Sequence, residues 1–282
     1  MKWQGRRGSD NIEDRRGMRA GGVVGGGGIG IVVVALLVWA LGGDPIAVLQ
    51  QGATQGGQVS QSGELTEAER QVGEFVAVTL ADTEEIWARI FEEKLNRAYK
   101  PATLVLFSGA TASACGTASQ ATGPFYCPND KKVYLDTAFF SLMTKQMGAR
   151  GDFAAAYVVA HEVGHYVQDE LGILSKVNAV RQQSSQAQSN DLSVRIELQA
   201  DCFSGVWARY AQEDLGTLEE GDIAEAMDTA ARIGDDTLQR NAGQRPMPDS
   251  FTHGTSEQRQ AWFAQGFRQG DIEVCDTFSG DI

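Results

Sequence analysis

The segment VVAHEVGHYVQ places His161 and His165 four residues apart, with Glu162 directly after the first histidine. On an α-helix, residues i and i+4 lie about 40° apart, one turn above the other, so both imidazoles point to one place. Two imidazole nitrogens so arranged are half of a zinc site. Glu162 lies about 100° from His161 and about 60° from His165, beside the metal position without entering it. A carboxylate there can take a proton from a water that zinc acidifies. The neighbours Val159, Val163 and Val167 are apolar. A helix that sets three ionisable groups among such residues must bury them or use them, and unpaired burial is costly. The chain has only three histidines, and two of them fall here.

A catalytic zinc takes three protein ligands and keeps one position open. The extended HExxHxxGxxH pattern is absent, because Gln168 and Leu171 stand at its later positions. The third ligand is therefore expected from another segment. In RIELQADCFSGVW, Glu197 and Asp201 are again four apart, among Leu198, Ala200, Phe203 and Val206. Glu197 is the candidate ligand, with Glu170 and Asp191 as alternatives. Asp201 can orient a ligand histidine by accepting its second ring N–H. Cys202 lies about 140° round the helix from Glu197 and faces elsewhere. The third histidine, His253 in PDSFTHGTSEQR, precedes a predicted helix. From such a loop it can donate to the oxyanion of a tetrahedral intermediate, with Asp249 or Glu257 orienting it. A plain surface histidine fits its spacing equally well.

Taken together, HEVGHYVQ (161–168), ELQADCFSGVW (197–207) and DSFTHGTSEQR (249–259) resemble the motifs of the bacterial neutral zinc metallopeptidases, which are membrane-anchored proteins with one N-terminal helix. The resemblance covers about residues 65–275. Many zinc peptidases share the first motif, whereas the second and third are more specific. The resemblance implies that His161, His165 and Glu197 bind one Zn2+ per chain, with Glu162 as general base. It implies that Asp201 matches the aspartate behind a ligand histidine in glutamate-ligand zincins, and it favours a functional His253. The implied activity is zinc-dependent hydrolysis of peptide bonds in a peptide or protein substrate. Two rivals remain: a non-catalytic zinc-containing binding module, and a zinc amidase acting on cell-wall material. Structural zinc sites fill four protein positions and have no use for a glutamate beside a ligand, so Glu162 favours an enzyme.

The elements that must position these residues follow from capping and periodicity. Thr66 with Glu69, and Asp82 with Glu85, form capping-box patterns that predict helices over 67–80 and 83–98. TLVLF (103–107) reads as a buried strand. KKVYLD (131–136) alternates and reads as a strand at a sheet edge, open to an extended peptide. From Asp152 onward the pattern is helical, with Asp152, Asp191 and Asp222 as N-caps and a last helix over about 256–269. The predicted fold class is α+β: a zincin-like, mainly helical domain with a small sheet, preceded by one transmembrane helix.

That helix is expected over residues 23–41, a strongly apolar run inside a stretch without charged side chains. At about 1.5 Å per residue it nearly spans a hydrocarbon core of about 30 Å. Residues 1–22 form a basic leader, which predicts a cytoplasmic N-terminus and an extracytoplasmic catalytic domain in a single-pass membrane protein. A cleaved signal peptide is the alternative, but no clean cleavage site follows the run. Residues 42–64, rich in Gln, Gly and Ser from Gln50 on, read as a flexible linker to a domain over 65–282.

With six Lys/Arg and three Asp/Glu in residues 1–43, the net charge of −13 leaves −16 on the remainder. Such a body excludes a nucleic-acid surface. The four cysteines, Cys115, Cys127, Cys202 and Cys275, contain no CxxC pair. Four cysteines allow three pairings. The expected one is Cys115–Cys127, closing a Gly/Ser/Thr-rich loop, and Cys202–Cys275, fastening the C-terminal tail to the Glu197 helix.

Overall fold

The computed structural model of the chain describes residues 1–17, 65–119, 122–143, 151–280 and 282. In chain order the regular elements are β1 (Ile12–Asp14), α1 (Glu67–Leu95), β2 (Thr103–Phe107), β3 (Ala110–Ser113), β4 (Gly116–Ser119), β5 (Phe125–Cys127), β6 (Lys132–Asp136), α2 (Ala138–Leu142), α3 (Phe153–Glu170), α4 (Ile173–Arg181), α5 (Gln186–Glu213), α6 (Asp222–Arg232), α7 (Asp235–Asn241) and α8 (Ser256–Gln269). The fold is α+β, with helices dominating. The expected anchor at 23–41 and linker at 42–64 lie outside the described residues. Among the described helices, none is long and apolar enough to cross a membrane.

The sheet has the order β1-β2-β6-β5, with β1 and β6 parallel to β2 and β5 antiparallel to β6. The unbroken apolar run of β2 suits a strand covered on both faces. Leu104 and Leu106 join the main core, while Val105 and Phe107 pack with Ala118, Cys127 and Tyr134 under the β3–β4 hairpin. The Cys115–Cys127 disulfide ties that hairpin to β5, and Cys202–Cys275 ties α5 to the C-terminal segment, the pairing expected from the sequence.

Three expectations are corrected. The edge position foreseen for 132–136 belongs to β5: β6 lies between β2 and β5, and Val133 to Asp136 are all buried. The two helices foreseen over 67–98 are the single helix α1, begun by the Thr66–Glu69 capping box. No Pro interrupts it, and Gly73 lies well before the foreseen break at 81–82. Asp82, instead of capping a second helix, is buried and paired with Arg6 at 2.5 Å. Finally, residues 1–17 do not stand apart from the body as a leader. Ile12 pairs with Leu104 and Asp14 with Leu106. Asn11 Nδ2 donates to Glu84, and Arg16 donates to the Glu69 carbonyl at the start of α1. Arg6 pairs with Asp82 of the body, whereas Arg15 and Arg16 pair with Glu13 and Asp14 of their own segment.

The helices stack around α3, which is buried along most of its length. At Gly164, in the middle of HEVGH, an added Cβ would lie 3.2 Å from the Ala200 carbonyl oxygen. The missing side chain lets α5 approach closely enough to bring Glu197 to the histidines. The next crossing, α5 on α8, is tighter: a Cβ at Gly266 would lie 2.0 Å from the Cys202 carbonyl oxygen. Gly266→Ala should therefore force the helices apart and cost roughly 1–3 kcal/mol or more. Thermal unfolding should record a fall of several degrees. An unchanged melting temperature would contradict the packing described.

Candidate metal centre

His161 and His165 occupy successive turns of α3, and Glu197 lies on the facing side of α5. Their ligand-capable atoms all fall within 4.8 Å of one another. One carboxylate oxygen of Glu197 is 3.1 Å from His161 Nε2, and the other is 3.5 Å from His165 Nε2. Both rings are fixed from behind. His161 Nδ1 meets Asp201 Oδ1 at 2.9 Å, and His165 Nδ1 meets Gln168 Oε1 at 2.9 Å. With each Nδ1–H donating to an oxygen, each Nε2 is left to coordinate. Two imidazoles and a carboxylate are the donor set of a catalytic zinc. Among the described residues, no fourth His, Cys, Asp or Glu completes the group. The residues present therefore fit a zinc ion with one position open.

Asp201 is fully buried and serves four donors. Besides His161 it accepts from the Tyr157 hydroxyl and from Arg259, through Nε at 2.8 Å and Nη2 at 3.0 Å. Arg259 is itself buried and comes from the TSEQR motif, so all three sequence motifs meet at one carboxylate. Gln168 performs a second join: its amide donates to the Ile196 carbonyl at 2.7 Å and to Gln199 Oε1 at 3.1 Å. In the sequence, Arg259 is marked only by lying inside the third motif, and Gln168 only by replacing a glycine. Glu170, the alternative ligand, pairs with Lys131, and Asp191 pairs with Arg195.

Burial dominates the electrostatics here. It opposes charge on the His161 ring, yet Asp201 and Glu197 outweigh it and raise the metal-free pKa to about 10. Metal uptake must displace that proton, so affinity should rise with pH. Burial lifts the Glu162 carboxyl above its usual range, against the pull of His165 and His161. Glu162, Glu197 and His253 line one cavity of ≈ 730 Å³ together with both α3 histidines.

His253 reaches that cavity from the loop before α8. Its partner is Asp235, and neither Asp249 nor Glu257 faces the ring. Asp235 Oδ2 accepts the backbone N–H groups of Thr252, His253 and Gly254 at 2.7, 2.6 and 3.0 Å. Its other oxygen is 3.2 Å from His253 Nδ1. Asp249 contributes its backbone carbonyl to Asn190 instead. Asp235 escapes a sequence reading because it stands 18 residues from the histidine, at the start of a short helix. The hydrogen bond to Asp235 raises the His253 pKa, against burial. Asp235→Asn should bring it down. An NMR titration of the imidazole C–H signals in zinc-loaded protein reads this directly; an unmoved midpoint would remove Asp235 as the cause.

A second acidic group among the described residues, Asp152, Asp222 and Glu225, offers carboxylates alone, so the histidine-bearing group is the zinc candidate.

The profile of one protein family, described as putative neutral zinc metallopeptidase, matches residues 1–278. The chain belongs to that family. The match takes in β1 as well as the three motifs, in keeping with residues 1–17 being part of the fold. Among curated relatives, the "Uncharacterized protein YpfJ" of Escherichia coli (strain K12) is 45% identical over 291 residues, covering 100% of both chains. The "Uncharacterized protein Rv2575" of Mycobacterium tuberculosis is 41% identical over 256 residues, covering 85% of this chain and 84% of its own. No solved structure matches the chain.

Proposed function

We propose that this chain hydrolyses peptide bonds in peptide or protein substrates, with His161, His165 and Glu197 holding one zinc ion and Glu162 acting as general base. The observation that carries the reading is the three-ligand group with Glu162 on the wall of the same cavity. A purely structural zinc would call for a fourth protein ligand. Zinc, when bound, polarises the scissile carbonyl and makes the attacking water more acidic. Asp201 and Gln168 hold the two imidazoles in their coordinating orientation. Glu162 takes a proton from the attacking water and passes it to the leaving amine. His253, whose protonated form Asp235 favours, donates to the oxygen on which negative charge develops. Phe125 and Tyr126 of β5 line the cavity, and β5 is the outer strand of the sheet. An extended substrate can pair with that edge and present its scissile bond to the histidines.

The full chain, loaded with zinc, should cleave members of a proteome-derived peptide library. Chelation should stop cleavage and zinc should restore it. A library left intact by zinc-loaded protein would refute the peptidase reading.

We also place the domain outside the cytoplasm, where its two disulfides persist. The pairing of β1 with β2 supports a reading in which residues 1–17 and 65–282 lie on one side of any bilayer. The apolar run 23–41 then attaches the protein to the membrane from that side. Protease added to intact spheroplasts should reach both parts; protection of either one would refute this arrangement.

A further inference from the structure

The cavity of the metal centre carries an arginine that no carboxylate neutralises. Arg181, the last residue of α4, lines it together with His161, His165 and Glu197. Its guanidinium donates only to neutral oxygens: Nη2 to Ser193 Oγ at 2.5 Å and Nη1 to Asn178 Oδ1 at 3.3 Å. Its Nε is buried and has no hydrogen-bond partner among the described residues. The chain as a whole is acidic, with a net charge of −13. Its neighbours along α5 and α8, Arg195 and Arg259, each have an aspartate. Arg181 makes no such ion pair among the described residues.

A partly desolvated cation costs free energy unless an opposite charge meets it. Two neutral acceptors aim a guanidinium without discharging it. The cavity therefore offers a fixed positive fork, and no carboxylate among the described residues forms an ion pair with it. The fork geometry suits a carboxylate, which it can bind through two parallel hydrogen bonds. Burial acts to lower the Arg181 pKa, and the Glu197 charge acts to hold it up.

We infer that Arg181 recognises a carboxylate of the substrate, either an acidic side chain near the scissile bond or the C-terminal carboxylate of the peptide. The inference rests on the peptidase reading above, whose substrate it narrows. The competing role is structural, since the Ser193 contact also fastens α4 to α5.

The test uses zinc-loaded full-length protein and matched fluorogenic peptides. One series carries Glu or Gln at each position in turn. A second differs only in a free or amidated C-terminus. The wild type should favour the acid in one of the two series by about 10- to 100-fold in kcat/KM, mainly through KM. Arg181→Gln should abolish that preference and leave the neutral peptides within about threefold, with zinc content unchanged. Arg181→Lys should restore part of it. Equal cleavage of acid and neutral peptides by the wild type, or an equal loss on all peptides in Arg181→Gln, would overturn the inference. A calorimetric titration with a peptide hydroxamate bearing a free or amidated carboxyl group gives a readout that needs no turnover. A carboxylate advantage lost in Arg181→Gln supports the inference; none in the wild type overturns it. Failure to cleave any peptide would count against the peptidase reading, while the titration still decides Arg181.

Discussion

Glu162→Gln should keep one zinc ion per chain and lower peptide hydrolysis by at least about 10²-fold, the usual worth of a positioned general base. The substitution preserves the shape of a side chain that is almost fully buried. It removes only the ability to hold a proton. Glu162 lies outside the three-residue ligand group, so metal content has no reason to change. The buried carboxyl is already lifted above its usual range, which brings it closer to the pKa of the water it must deprotonate. Metal analysis and kinetics on the same sample decide the matter. Hydrolysis at the wild-type rate with zinc retained would take the base role away from Glu162.

His161→Ala should all but abolish zinc binding, and activity with it. Two remaining ligands cannot hold the ion tightly, and Asp201 loses the ring it orients. Asp201 itself is a poorer choice for the experiment. Its removal would leave the buried Arg259 guanidinium without its partner, at a cost of about 3–5 kcal/mol, and misfolding would obscure metal loss. In His161→Ala the Asp201–Arg259 pair survives. Elemental analysis of folded mutant protein is the measurement; full occupancy would show that the ion is held elsewhere.

The parts of this site that a sequence displays are those fixed by helical geometry. His161 and His165, and Glu197 and Asp201, are each four residues apart on helices, so their alignment follows from about 3.6 residues per turn. The disulfide pairing was legible for a related reason: Cys115 and Cys127 bracket a short loop. Asp235, Arg259 and Gln168 meet their partners across 18, 58 and 28 residues, and no local period encodes such meetings. The same holds for Arg6, whose partner Asp82 lies 76 residues on. A cluster of positive residues before an apolar run is also a topology signal, and that signal hid the partners of these arginines. The Asp82–Glu85 pattern misled because a capping box is a tendency of isolated segments. Here a continuous apolar face carried the helix through it.

The pairing of β1 with β2 makes this domain bipartite in sequence: its first strand is encoded ahead of residues 18–64, the rest after them. A fragment cut at residue 60 would lack that strand, leaving the outer backbone of β2 without its ladder and Asp82 without Arg6. The two pieces remain complementary, however. A synthetic peptide of residues 1–17, added to a 65–282 fragment, should dock as the missing strand and raise its melting temperature. The chain would thereby become a split protein whose assembly can be switched on from outside by a short peptide.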